Sequence, residues 1–192
     1  MMRFKYDLAK ATRLIAYILD RLGPLDKVKL AKLLYIAERD HFLRHGRPIV
    51  GDDAYAMRWG PVLSKTLDAL NGQLAHGGRL FESVCVHNNT VSLARRPEEP
   101  LLESSERAVA EDVLQEYGDL PSWGLVRRTH RFPEYRATYQ EGTSTPIPYE
   151  TILRAHEQGD GRRHRLGRAV VSRDMRRALA CPLEPWPANP GE

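Results

Sequence analysis

Apolar positions recur at intervals of three and four from the start of the chain. Leu8, Ala11, Leu14, Ile15, Ile18, Leu19 and Leu22 make one stripe, which predicts an amphipathic helix. Asp7 can cap it and Gly23-Pro24 stops it. A second, longer helix follows from about Lys27 to His45, with Asp26 as its cap and Gly46 at its C′ position. Leu30, Leu33, Leu34, Ala37 and His41 line one face of it. The pattern then changes. Arg47 to Asp53 reads as an extended segment with a turn. Ala54 to Trp59 reads as a short strand with Tyr55, Met57 and Trp59 on one side. Gly60-Pro61 ends that strand, and Val62 to Leu70 predicts a short helix closed by Asn71-Gly72. His76-Gly77-Gly78 is a loop. Leu80 to Val86 and Val91 to Leu93 predict two strands joined through Asn88-Asn89, because Asn tolerates positive φ. Arg95 to Pro100 is a charged connection. A third long helix starts near Ser104 or Ser105, presents Ala110, Val113, Leu114 and Tyr117, and ends at Gly118. Another runs from Pro121-Ser122 to about Thr129. Pro133, Gly142, Pro146 and Pro148 predict a mostly irregular stretch over 133–148, and Tyr149 to His156 predicts a last core helix.

The fold class expected is therefore α+β and predominantly α-helical: a helical core with one or two small antiparallel β-hairpins and a basic C-terminal appendage. The domain spans 1–157. Residues 158–192 form a basic, proline-containing extension, expected to be partly flexible, in which Leu166 to Ala180 carries only a thin apolar face.

Charge sharpens this division. Lys and Arg number 29 against 25 Asp and Glu, a net +4, and the pI is 9.2. Residues 161–177 alone hold seven arginines and one aspartate, a local +6. The remainder of the chain is then −2, which argues against a nucleic-acid groove across the body. Arg162, Arg163, Arg165 and Arg168 make a candidate contact arm for an acidic partner, which ranks behind a merely solvated, flexible segment and ahead of phosphate binding in nucleic acid. No run approaches the ~20 apolar residues that span a bilayer, and Met1 to Lys10 is mixed polar. Only Cys85 and Cys181 occur. The expectation is a cytoplasmic protein in a reducing compartment, without membrane association.

Candidate chemistry is thin. His41 and His45 share a helix face at the spacing of a zinc-protease helix, but Phe42 stands where that motif needs Glu and no third ligand is evident. Cys85 and His87 point to one side of a strand, where a half-buried, inert cysteine outweighs a nucleophile. Asp52-Asp53 and Glu98-Glu99 read as solvated turns. The chain has no phosphate-binding glycine loop and no nucleophile elbow. The expectation is no catalytic residue, no cofactor and no metal. The set Tyr35, Arg39, Asp40, Arg58 and Trp59 has the composition of an interface anchor. The competing reading, which outweighs it, buries Trp59 and Tyr35 and leaves the charges as a solvated rim.

One stretch carries a resemblance. Lys-Leu-Leu-Tyr-Ile-Ala at 32–37, Gly-Arg-Pro-Ile at 46–49, Ala56 and Trp59-Gly60-Pro61-Val62, with a short helix after them, resemble the Panacea domain of SocA-type antitoxins. Leu125 and Thr129-His130 followed by Pro133 resemble a later block of that family. Glu134-Tyr135 stands where the family usually has a Trp after the proline. The resemblance covers about residues 7–157. It implies an antitoxin that neutralises a cognate toxin, encoded by an adjacent bacterial or phage gene, through direct protein contact and without catalysis. It implies structural roles for Gly46, Pro48, Gly60 and Pro61 in turns and for Leu33, Leu34 and Ala37 in the core.

Three alternatives stand beside that reading. A winged-helix-like autoregulator would bind operator DNA through the helix after Gly23-Pro24, although that helix presents few cations (Lys27, Lys29, Lys32) and is followed by Glu38 and Asp40. An adaptor would deliver the toxin to a protease. An enzyme would use Cys85 or the histidines.

Overall fold

A computed structural model describes residues 2–73, 82–95 and 102–158. The Arg162 to Arg168 arm, the loop at 76–78, Glu98-Glu99, Cys181 and most of the Arg95 to Pro100 connection lie outside the described residues.

Helix α1 (Leu8–Leu22) begins at Asp7, whose side chain accepts from the Lys10 amide, and ends at Gly23. Its face from Ala11 to Leu19 is buried. A two-residue strand β1 (Leu25–Asp26) leads into α2 (Lys27–His45), capped by the Asp26 carboxylate on the Lys29 amide and closed by Gly46 at φ 72°. These are the caps and stops the sequence predicts. The burial of α2 is not. Every residue from Leu30 to Leu43 is buried, so the helix runs through the middle of the molecule rather than along its side. Lys32, Glu38, Arg39, Asp40 and His41 are buried with it. The reading of Lys32, Glu38, Arg39 and Asp40 as surface charge is therefore corrected.

Two small antiparallel sheets flank this helix. Strands β2 (Ala54–Met57) and β3 (Gly60–Leu63) form a hairpin, and β6 (Thr145–Ile147) pairs with the other edge of β2. Strands β4 (Val84–His87) and β5 (Thr90–Leu93) form the second hairpin, joined by β1 along β5. Asn88 takes φ 53° at that turn, as its side chain allows. Helix α3 (Ser64–Leu70) follows β3. Helices α4 (Ser104–Tyr117), α5 (Ser122–Thr129), α6 (Pro133–Thr138) and α7 (Tyr149–Gln158) complete the described residues. Glu103 and Glu106 close a reciprocal capping box at the start of α4. The predominantly helical class with small antiparallel hairpins is thus the observed one.

Beyond the two-residue β1, which the sequence does not predict, three elements differ from the sequence expectation. Gly60 to Leu63 is a strand, not a terminator and the start of a helix. Within 133–148, Pro133 opens α6 and Thr145 to Ile147 is a strand. Both misread strands contain a proline, Pro61 and Pro146, and both lie at the edges of one sheet in the order β3-β2-β6. An edge strand can spare the amide that proline lacks.

Buried carboxylates hold the loop between α2 and β2. Glu38 accepts from the amides of Ile49 and Val50 through one oxygen, at 2.8 and 2.7 Å, and from Gly51 and Asp52 through the other, at 2.7 and 3.3 Å. Tyr149 donates to it at 3.0 Å. Burial pushes the Glu38 carboxyl up, and the amides and Tyr149 pull it back down. Asp52, read above as part of a solvated turn, is fully buried. It accepts from the Lys65 and Thr66 amides at 3.2 and 2.8 Å and from the Thr66 hydroxyl at 2.7 Å. It caps α3 from a distance, because Leu63 at the N-cap has no side-chain acceptor.

Candidate functional site

The tip of the β2–β3 hairpin is the two-residue turn Arg58-Trp59. Register places Met57 opposite Gly60, so both side chains of the turn project beyond the sheet. Trp59 is 51% exposed and Trp123, in the first turn of α5, is 57% exposed. Their rings meet edge to face with centroids 5.7 Å apart. Large exposed aromatics in contact are unusual on a lone surface and typical of binding anchors.

Both tryptophans are fixed from beneath. Ser122, next to Trp123, donates to the same Asp26 carboxylate that caps α2. Lys29 donates to the Gly118 carbonyl at 2.6 Å, tying the segment before α5 to α2. Under the hairpin, Lys32 Nζ donates to the Pro61 carbonyl at 2.8 Å and Tyr135 donates to the Met57 carbonyl at 2.9 Å. Tyr135 in turn stacks on His130 at 4.7 Å and on Tyr139 at 5.1 Å. Gly60 closes the turn at φ 94°. A Cβ there would stand 2.7 Å from Thr129 Oγ1, 3.2 Å from Lys32 Cε and 3.3 Å from His130 Cδ2. Gly60→Ala therefore combines a left-handed φ with a clash on three sides, and is expected to cost about 2–4 kcal/mol. Urea unfolding measures it. A change under about 0.5 kcal/mol would mean that the turn is not held as described.

Beside Trp59 opens a cavity of about 380 Å³. Its walls come from the first turns of α2 (Lys27, Val28, Ala31, Lys32), the hairpin (Met57 to Gly60, Val62), α3 (Leu67, Asn71) and the β4–β5 turn (Asn89). Lys32 is only 2% exposed. Burial pulls its ammonium down to about 7, far below the usual lysine range. Burial and the neighbouring Lys32 also lower the His130 imidazole.

The five candidate anchor residues separate into two groups. Arg58 and Trp59 are exposed at the hairpin tip. Tyr35, Arg39 and Asp40 are buried behind them. Arg39 donates through Nε to Glu134 and through Nη1 to Asp40 at 2.7 Å, and its guanidinium lies 4.5 Å from the Phe132 ring centre. Tyr35 donates to the same Glu134 oxygen at 3.2 Å. The favoured expectation holds for Tyr35, which is buried, and Arg58, which is exposed, and fails for Trp59, which is outside, and for Arg39 and Asp40, which are inside. This network holds α6 against α2. It positions the face and cannot touch a partner. Trp123 was not among the candidates, although a Trp directly after Pro-Ser at a helix start is placed where little of the helix can cover it.

The other candidates are structural or isolated. His41 Nδ1 meets the Arg47 carbonyl at 2.7 Å and Nε2 meets the Ser105 hydroxyl at 3.2 Å. Burial lowers the His41 imidazole to about 4, so it is neutral near pH 7. Among the described residues no group of three metal-ligating side chains occurs. Cys85 is exposed rather than half-buried, because β4 turns its face at 85 to solvent.

Residues 30–135 match the family described as antitoxin SocA-like, Panacea domain. The chain belongs to that family. No curated protein and no solved structure matches it. The matched region contains α2 from Leu30 onward, both hairpins, α4, α5 and the start of α6, so it holds the Trp59–Trp123 pair and most of the cavity lining, while the supports Asp26 and Lys29 and the lining residues Lys27 and Val28 lie just before it. Glu134 supplies the partner of Arg39, and Tyr135 the clamp on Met57. Membership is consistent with a toxin–antitoxin role and with a toxin protein as partner. Among the described residues no helix is long and apolar enough to cross a membrane.

Proposed function

We propose that this protein is an antitoxin that neutralises the toxin encoded by an adjacent gene through direct protein–protein contact, in the cytoplasm and without catalysis. The observation that carries the reading is the exposed pair formed by Trp59, at the tip of a rigidly supported hairpin, and Trp123, at the start of α5, both within the SocA-like region and beside an apolar cavity. A neutraliser needs complementary area and a few anchors, on the order of 800 Å² per partner, and no reactive constellation. Supports fixed in advance reduce the ordering cost of binding. Arg58 extends the face at its rim. Residues 1–157 act as the binding domain, and the extension at 158–192, with Arg162, Arg163, Arg165 and Arg168, is a secondary arm for an acidic patch on the toxin.

Co-expression with the toxin tests this. Wild type restores growth. Trp59→Ala/Trp123→Ala does not restore it and no longer copurifies with the toxin, while its unfolding midpoint stays within about 3 °C of wild type because both side chains are exposed. Full rescue by the double variant would overturn the reading.

Operator binding through α2 has no support in this geometry. A helix buried from Leu30 to Leu43 cannot enter a major groove.

A further inference from the structure

We propose that the cavity beside Trp59 receives an acidic–apolar segment of the partner protein, with one apolar side chain filling the cavity and a carboxylate of the same segment paired with Lys32 Nζ. This rests on the protein-binding reading above and specifies the chemistry of the partner at that face.

The lining of the cavity decides the chemistry. Val28, Ala31, Met57, Val62 and Leu67 supply apolar walls, and the cavity volume of about 380 Å³ accommodates one or two large side chains. Lys27, Lys32 and Arg58 also line it, and among the described residues no carboxylate does. That is unbalanced charge around an apolar hole. Elsewhere in the described structure buried cations are paired: Arg39 holds both Glu134 and Asp40. Among the described residues Lys32 instead has one hydrogen bond, to the neutral Pro61 carbonyl. An ammonium carries three donors, so a carboxylate arriving in the cavity would find both a net positive wall and unused N–H capacity. A buried charge gains most from a partner that displaces its water and supplies the opposite sign. An acidic segment without an apolar residue would leave the walls unfilled. An apolar segment without an acid would leave Lys32 unpaired.

Lys27 on its own helix and Arg58 on the hairpin turn line the same cavity as Lys32, and His130, between α5 and α6, is the titratable group that Lys32 acts on. The lysine titrates near pH 7, whereas His130 lies below its usual value. Pairing with a carboxylate favours the ammonium. Binding above pH 7 therefore requires proton uptake, and affinity falls as pH rises.

The test uses the full chain and a fluorescein-labelled hexapeptide, Asp-Glu-Leu-Phe-Glu-Asp, read by anisotropy. Its charge-reversed counterpart, Lys-Arg-Leu-Phe-Arg-Lys, is the control. The acidic peptide is expected to bind at least about tenfold more tightly than the basic one, and to weaken severalfold from about pH 6.5 to pH 8.5. Lys32→Met should lose about tenfold in affinity and flatten the pH profile. Arg58→Glu, at an exposed position that does not threaten folding, should weaken binding without removing the pH dependence. Equal affinity for both peptides, or an unchanged pH profile in Lys32→Met, overturns the proposal. Those results leave the Trp59/Trp123 co-expression test untouched. Failure of that test with intact peptide selectivity would overturn the antitoxin reading and leave the acidic-segment site standing.

Discussion

Glu38→Ala is expected to bring the protein close to unfolding at room temperature. The Glu38 carboxylate is the single acceptor for four consecutive backbone amides, Ile49 to Asp52, and for the Tyr149 hydroxyl. None of these donors is near water, and alanine offers no replacement. Each buried amide left without a partner costs about 1–3 kcal/mol. Even with partial relaxation the loss is about 4 kcal/mol or more, against a total stability of about 5–15 kcal/mol for a domain. Glu38→Gln separates shape from charge. Its amide keeps the volume and one acceptor but aims an N–H₂ at one pair of amides, so the expected cost is intermediate, about 2–3 kcal/mol. Urea unfolding of the three proteins should rank wild type, Gln and Ala in that order. The effect is not confined to stability. The segment 49–52 leads directly into β2, so loosening it also loosens the hairpin that carries Trp59. Toxin binding by the Gln variant should fall with the hairpin still paired. A Glu38→Ala protein within about 1 kcal/mol of wild type would show that these amides find water and that the cradle is not built as described.

The second large effect belongs to Arg39. Its guanidinium lies between Glu134 and Asp40, all three buried, and faces the Phe132 ring. Arg39→Met leaves two buried carboxylates without a cation, and breaking such a pair from one side costs about 3–5 kcal/mol. The informative comparison is the double variant. Arg39→Met/Glu134→Met removes charge from both sides of one pair and fills the space with side chains of similar length. It should recover a substantial part of the loss, with a coupling energy of about 2 kcal/mol or more. Adding Asp40→Asn should recover more, since Asp40 otherwise keeps an unpaired charge. Additive costs across the series would contradict the network.

Much of this fold is legible in the chain. The spacing of Leu8 to Leu22, the caps Asp7 and Asp26 and the stops Gly23, Gly46 and Gly118 locate the long helices to within a residue or two, because capping and periodicity are local signals. Asn88-Asn89 marks its hairpin for the same reason. The misses share a cause in pairing across distance. Pro61 and Pro146 look like breakers until their strands are seen at the edges of a sheet built on β2. The buried charges of α2 look like a solvated rim because their partners, Glu134 and the amides of 49–52, arrive from other segments. Spacing within one helix cannot reveal a partner 95 residues away. The candidate face was half legible. Arg58 and Trp59 were visible as composition. Trp123 acquires meaning only once Ser122 is bonded to Asp26 and the two indoles meet.

The central claim is that the Trp59–Trp123 face binds the toxin, and the dissociation constant of the purified pair tests it most directly. Calorimetric titration of wild type and Trp59→Ala/Trp123→Ala against the toxin from the adjacent gene should give a weakening of at least about a hundredfold, from two anchors each contributing about 2 kcal/mol or more. The unfolding midpoints should coincide. Equal affinities in the two proteins would place the contact on another surface and contradict the account.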